Sequence, residues 1–303
     1  MKKTLYLLLL FLQGASLMDA TPKRYSADLV IFSFDRPLQL YALLESLNMY
    51  ATDINSTSVI YRTSDNRYER AFNEVAQQFP HVHFLHQHTI SDFKPLTVQA
   101  IEESSSEYVV FAVDDNIVKD TITLHECIDW LKKTEAYGFY LKLGSHLDYC
   151  YTENAAQKLP PLTLVHDTIF SWQFESGERD WHYPNTVDMT VYRKKEIISQ
   201  FKSLEYTNPN FLEGKWAAWW IKHKAPSAIG LFYKDSKIIN IPLNKVQTIE
   251  ILNRDMNLYT PEELLEKFEN GYKMDILPLY KMKNKAVHTE YEPTFISRII
   301  KDN

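Results

Sequence analysis

What constrains this chain most is an alternation that begins at Ala27. Strand-length runs of β-branched, aromatic and other apolar residues take turns with segments whose apolar residues recur every three or four positions. The first run is ADLVIFSF (27–34), broken by Asp35-Arg36-Pro37, with Pro37 suited to a first helical turn. Behind it Leu40, Leu43, Leu44 and Leu47 fall at the spacing of one buried helix face. STSVIYRTS (56–64) reads as a second strand, and DNRYERAFNEVAQQF (65–79) as a helix striped by Tyr68, Phe72, Val75 and Phe79. HVHFLHQ (81–87) is a short third strand, FKPLTVQAIEES (93–104) includes a third helix, and YVVFAV (108–113) is a fourth strand. Such alternation implies right-handed βαβ crossovers and a mostly parallel, Rossmann-like α/β sheet with helices on both faces.

Ligands of such sheets bind beyond the carboxyl ends of the strands. Two polar clusters fall on that edge: Ser33-Phe34-Asp35-Arg36 after the first strand and Asp114-Asp115-Asn116 after the fourth. No G-x-G-x-x-G follows the first strand and no G-x-x-x-x-G-K-[ST] occurs, so glycine-rich phosphate cradles are absent. A diphosphate bound here needs another counter-charge, and a divalent cation on the carboxylates of the fourth strand would supply it. An Asp-Asp-Asn turn also serves as a helix N-cap or Asx turn, so the short motif alone leaves both readings open.

Past Asn116 the regular alternation fades. TITLHECIDWLKKTEAYG (121–138) reads as a helix ending at Gly138, and FYLKLGSH (139–146) as a strand. A region rich in proline and aromatics (159–198) contains the strand-like VDMTVYR (187–193), with a helix starting near Lys194. NPNFLEGKWAAWWIKHK (208–224) places Glu213 and Gly214 just before another helix. Thr260-Pro261-Glu262-Glu263 is a capping box that opens a helix closed by Gly271. Neither a repeat nor a linker divides residues 21–303, which read as one domain with halves 27–119 and 120–303.

The net charge of −6 gives no electrostatic reason to expect nucleic acid. Aromatics make up 14%, with 19 Tyr, which leaves flat faces for a polar ligand such as a sugar. Lys2 and Lys3, the apolar run Leu5 to Leu12, then Gly14, Ala15 and Ser16 have the layout of a secretory signal peptide. Export to a periplasm or outside the cell is expected, the alternative being an uncleaved anchor that associates with a membrane through residues 4–18. Residues 1–20 are therefore set apart from the fold. Cys127 and Cys150 either form one disulfide or are two buried thiols.

The order ADLVIFSFDRP, helix, STSVIYRTSD, helix, FKPLTVQAI, then YVVFAVDDN resembles glycosyltransferases of the GT-A fold, similar to family 2 enzymes, over roughly 27–119. The resemblance implies a nucleotide-diphospho-sugar donor with Mn²⁺ or Mg²⁺. It implies that Ser33, Asp35 and Arg36 touch the nucleotide, with Lys94 a further contact. Asp65 stands only approximately where such enzymes carry a base-reading aspartate. The D-x-D-type motif falls on Asp114-Asp115-Asn116, with its register open: Asp114 on ribose and Asp115 on metal, or Asn116 as the last member. An acceptor-side carboxylate is also implied as general base, for which Glu213 is the choice and Asp188 the runner-up. His288 is a candidate extra metal ligand alongside Asp114 and Asp115.

Each has a plainer reading: Glu213 as a first-turn helix acid, Asp188 as a hydrogen-bonded acid inside a strand, Lys94 as solvated, Arg36 as an ion-pair partner. Trp172, Trp181, His182 and Tyr183 stack on acceptor sugars or are core, while Trp216, Trp219 and Trp220 have the spacing of helix packing. The acceptor hydroxyl belongs to an unidentified glycan, lipid or protein. The competing functions are a non-catalytic secreted carbohydrate- or nucleotide-binding effector, and a nucleotidyltransferase. The latter usually carries a glycine-rich loop where this chain has FSFDRP.

Overall fold

The computed structural model describes residues 24–223, 228–246, 256 and 258–298. Four strands, β1 (Ala27–Phe34), β2 (Ile54–Arg62), β3 (Val82–His86) and β4 (Tyr108–Val113), lie parallel in the order β4-β1-β2-β3. Helices α1 (Pro37–Tyr50), α2 (Asn66–Gln78) and α3 (Phe93–Glu102) connect them, as the alternation predicts. The continuous apolar runs of β1 and β4 follow from burial on both faces. Leu29 and Ile31 of β1 point into one core, and Val30 and Phe32 into the other. In β4, Val110 and Ala112 join the first core and Val109 and Phe111 the second.

The first core also takes the buried faces of α1, α2, α4 (Leu124–Thr134) and α7 (Pro261–Glu269). The second takes α3, α5 (Lys194–Ser203) and α6 (Pro209–His223). A third, aromatic cluster around Tyr140, Trp172, Trp181 and Phe232 fills the far end of the sheet.

The sheet continues through β5 (Gly138–Tyr140), β6 (Thr163–His166), β7 (Ile169–Gln173), β8 (Thr190–Arg193) and β9 (Ile229–Tyr233), giving the order β6-β7-β9-β5-β8-β4-β1-β2-β3. Only β7 and β8 run against the common direction, so the sheet is mostly parallel and takes strands from both halves of the chain. The reversal of β8 matters for the site. Its register on β4 pairs Val191 with Val110 and Tyr192 with Val109. Extending that register brings the residues just before β8 alongside the carboxyl end of β4.

Several local expectations shift. α4 ends at Thr134 because Glu135 takes the left-handed conformation (φ 55°), which releases Gly138 to open β5. β5 stops at Tyr140, short of the expected strand to His146. Asp188 precedes β8 and is not inside a strand. α6 begins at Pro209, capped by Asn208, whose side chain accepts from the Phe211 amide at 2.9 Å. Glu213 therefore sits within the helix, beyond any loop junction.

The capping box of α7 forms as expected, with Thr260 Oγ1 accepting from the Glu263 amide (3.1 Å) and Glu263 accepting from the Thr260 amide (2.8 Å). Cys127 and Cys150 are buried free thiols. Among the described residues no helix is long and apolar enough to cross a membrane, and the expected export segment lies outside those residues.

Candidate active site

Because β1 and β4 are parallel neighbours with Phe32 opposite Val113, Ser33 and Asp114 meet at their carboxyl ends. Ser33 Oγ donates to Asp114 Oδ2 at 2.8 Å, and the Phe34 amide donates to the same oxygen at 3.2 Å. Arg36, turned back over this edge by the left-handed Asp35 (φ 53°), donates from Nη1 to Asp114 Oδ1 at 3.0 Å and to Asp115 Oδ2 at 3.4 Å. Its Nε donates to Asn244 Oδ1 at 3.0 Å.

The three motif residues thus separate by role. Asp114 is tied to Ser33, Phe34 and Arg36. Asn116 is fully buried, accepting from the Val113 amide at 3.2 Å and donating to Asp188 Oδ1 at 3.1 Å. Asp115 lines the cleft and accepts from Asn240 Nδ2 at 2.8 Å. Asn240 ends a short strand, Ile238–Asn240, paired antiparallel with Asn116–Val118, which is what places its amide over the motif.

The rest of the polar lining comes from the second half of the chain. Asp188 is presented by the turn before β8, where Met189 is held at φ 39°. Lys142 follows β5, donates from Nζ to Thr186 Oγ1 at 2.7 Å and lies 3.6 Å from Asp188 Oδ2. Glu213 Oε1 accepts from the Val187 amide at 3.0 Å, which locks α6 to the Asp188 turn. His288 pairs with Asn240 through a β-bridge and stacks on Tyr151, with ring centroids 6.3 Å apart. Together these walls enclose a cleft of about 1070 Å³.

Burial sets the electrostatics, and the neighbours split the acids apart. Burial, then the charges of Asp114 and Asp188, push the Asp115 carboxyl up to about 7, against the pull of Arg36 and Asn240. Burial also opposes ionisation of Asp188, but Lys142, His288 and the amides of Asn116 and Asn240 hold it below the ordinary range. Glu213 is raised by burial and by the Asp188 charge. His288 is lowered, burial outweighing the attraction of Asp188.

Of the residues singled out in the sequence, Ser33, Arg36, Asp114, Asp115, Asp188, Glu213 and His288 line this one cleft. Three others have their side chains engaged outside it. Asp35 Oδ1 accepts from the Ser64 amide at 2.8 Å, tying the ends of β1 and β2. Asp65 is the N-cap of α2, accepting from the amides of Arg67 (2.6 Å) and Tyr68 (3.2 Å). Lys94 pairs with Glu205 at 2.6 Å. Trp172 and Trp181 are core, while Tyr183 lines the cleft. Sequence reasoning missed Lys142 and Asn240. Each had a signal, a lone polar residue within an apolar run, FYLKLG and KIINIPL.

The donor set suits a hard divalent cation in one particular way. Among the described residues no three His, Cys, Asp or Glu side chains form a ready-made metal cage. Asp115 is nevertheless a cleft-facing carboxylate crowded by two others, and a cation there would relieve that repulsion. Ions such as Mg²⁺ are held by one or two carboxylates together with substrate phosphates, and this arrangement fits that pattern.

No protein-family model matches the chain. It is 27% identical over 191 residues to the bifunctional glycosyltransferase pgtA of Dictyostelium discoideum, covering 56% of this chain and 24% of that one. The chain thus spans about a quarter of the length of this curated relative, whose name bears out the glycosyltransferase resemblance read from the sequence. Among solved structures it is similar to S. aureus TarS 1–349 in complex with UDP (TM-score 0.47, 12% identity, 70% of this chain and 59% of that one). It is also similar to the mannosyltransferase PcManGT of Pyrobaculum calidifontis with GDP-Man and Mn²⁺ (TM-score 0.39, 10% identity, 63% and 51%). At these scores and identities the two structural likenesses carry no weight for activity.

Proposed function

We propose that the cleft binds a nucleotide-diphospho-sugar and transfers its sugar to an acceptor hydroxyl with the help of Mn²⁺ or Mg²⁺. The observation that carries this reading is the gathering of four carboxylates on one cleft at the carboxyl edge of the parallel strands. Asp114 and Asp115 are braced by Ser33 and Arg36, Asp188 lies beside them within reach of the same Asn240 amide, and Glu213 is held to the Asp188 turn. The bound cation would stabilise charge on the leaving diphosphate. Asp115 would hold it, with Asp114 beside Asp115 in the cleft and Arg36 supplying a fixed positive charge next to both.

On the acceptor side, Glu213 takes the hydroxyl proton as the acceptor oxygen bonds to the anomeric carbon and the bond to the diphosphate oxygen breaks. Its raised pKa makes it a better base than a solvated glutamate, and the Val187 amide holds it in place. Asp188, kept ionised by Lys142, orders the turn that Glu213 leans on.

Calorimetric titration of the full chain with UDP and with GDP, in the presence and absence of Mn²⁺, tests this. The expected result is that one nucleotide binds, more tightly with Mn²⁺, and that Asp115→Ala abolishes the metal effect. Binding that needs no metal and survives Asp115→Ala would overturn the cation assignment. Absence of binding to either nucleotide, with or without metal, would overturn the donor assignment. Residues 1–20 are proposed to direct export. Appearance of a shortened chain in pulse labelling supports cleavage, and a full-length membrane-bound chain supports the anchor.

A further inference from the structure

Beside the cleft lies a second, smaller cavity of about 340 Å³, and the partition between them is a hairpin. The short strands Tyr149–Cys150 and Ala155–Ala156 pair antiparallel around a turn at Asn154 (φ 50°). Side chains alternate across this hairpin. Cys150 and Thr152 line the large cleft, whereas Tyr149 and Tyr151 line the small cavity. The floor is the segment around Lys285 and His288. The amides of Asp148 and Tyr149 both donate to the Lys285 carbonyl at 3.2 Å, so hairpin and floor are one unit.

His288 is the joint between the cavities. It lines both, stacking on Tyr151 on one side and feeling the Asp188 charge on the other. Lys285, Ala286, Thr289 and Glu290 complete the lining of the small cavity, with the Tyr151 hydroxyl donating to Glu290 Oε1 at 3.2 Å.

We propose that this small cavity is a subsite for a neutral carbohydrate, the part of the acceptor that lies beyond the reacting sugar. Its chemistry matches that ligand. The half-buried Tyr149 ring offers an aromatic face to the C–H side of a pyranose, and the Glu290 carboxylate, the Lys285 ammonium and the Thr289 hydroxyl offer partners to its hydroxyls. Lys285 and Glu290 bring one charge of each sign to the cavity, which favours a neutral sugar over an acidic one. A saccharide seated here extends past His288 into the cleft, toward Asp188 and Glu213. Only that orientation rests on the glycosyl-transfer reading; the sugar subsite itself does not.

The test is saturation-transfer NMR on the full chain with four neutral disaccharides: lactose, maltose, cellobiose and N,N′-diacetylchitobiose. Three variants are compared with the parent: Tyr149→Ala, Glu290→Gln, which leaves the packing intact, and Asp115→Asn. At least one disaccharide is expected to bind the parent and the Asp115→Asn variant alike. Its affinity is expected to fall about tenfold in Tyr149→Ala and in Glu290→Gln. No signal from any of the four disaccharides, or affinity unchanged in both cavity variants, overturns the subsite. Disaccharide binding lost in the cavity variants of a protein that binds neither UDP nor GDP leaves the subsite standing and removes the transferase reading. Nucleotide binding without disaccharide binding does the reverse.

Discussion

The two walls of the cleft are built by different means, and the contrast explains what each can do. The wall of Ser33, Arg36, Asp114 and Asp115 rises from β1 and β4, which are far apart in the chain but are parallel neighbours in the sheet, so their carboxyl ends share one edge. The wall of Lys142, Asp188, Glu213 and His288 draws on the exit of β5, the turn before an antiparallel strand, the interior of a helix and a bridged C-terminal segment. The first wall is a rigid sheet edge suited to fixed phosphate and cation chemistry. The second is a convergence of separate elements held together by long-range contacts.

The largest expected effect breaks the first wall. Asp115→Asn should lower transfer about 10³-fold, the equivalent of losing several kcal/mol of charge stabilisation. It should at the same time stabilise the fold at alkaline pH. The Asp115 carboxyl is raised from 3.8 to about 7 in the folded protein. Between those values the folded chain holds a proton that the unfolded chain has released. Stability therefore falls as pH rises through that window and levels off above it. Thermal melts of parent and variant should coincide below pH 4 and diverge above 7, with the variant melting higher. A variant that melts lower at every pH would show that Asp115 is a structural acid.

The next effect concerns the second wall's framework. Lys142→Met leaves Asp188 buried without its cation and should cost about 3 kcal/mol in urea unfolding. An unchanged midpoint would mean that the wall does not depend on this pair. Smaller in energy but closer to the chemistry is Glu213→Gln. It should keep nucleotide affinity and lower transfer about 10²-fold. In the parent, transfer should decline as pH falls through the raised pKa of Glu213, because the base must be ionised, and this limb should vanish in the variant. Equal transfer by parent and variant would move the base role to Asp188.

The same contrast accounts for what could be read from the sequence. The first wall was legible because apolar runs and turn residues are local signals, and in a parallel sheet the carboxyl ends gather on one edge. The structure also separates the three motif residues, with Asn116 turned inward to Val113 and Asp188 and both Asp114 and Asp115 left lining the cleft. The second wall was legible only as separate residues. Glu213, Asp188 and His288 were each singled out, yet their convergence depends on β8 running against β4 and on Asn240 pairing with His288. Both are long-range pairings that leave no periodic trace. Lys142 and Asn240 carried only a weak signal, since a lone polar residue in an apolar run shows that it needs a buried partner but not which one.

The smallest effect is the sharpest test of where the first wall ends. Asp65 follows β2, one strand further from β4 than β1, and its approximate match to the base-reading aspartate of the family that the sequence resembles made it a candidate. Its carboxylate instead closes the first turn of α2, accepting from the Arg67 and Tyr68 amides. An N-cap of this kind is worth about 1 kcal/mol, so Asp65→Ala should lower the melting temperature modestly. It should leave UDP or GDP affinity unchanged, because the carboxylate lies outside the cleft lining. Asp65→Asn, which retains a capping oxygen, should restore most of the lost stability. A loss of nucleotide affinity in the alanine variant that asparagine does not rescue would mean that its charge is used by the ligand. The first wall would then extend across β2, and the division between a sheet-edge wall and a convergent wall would have to be redrawn around three strands.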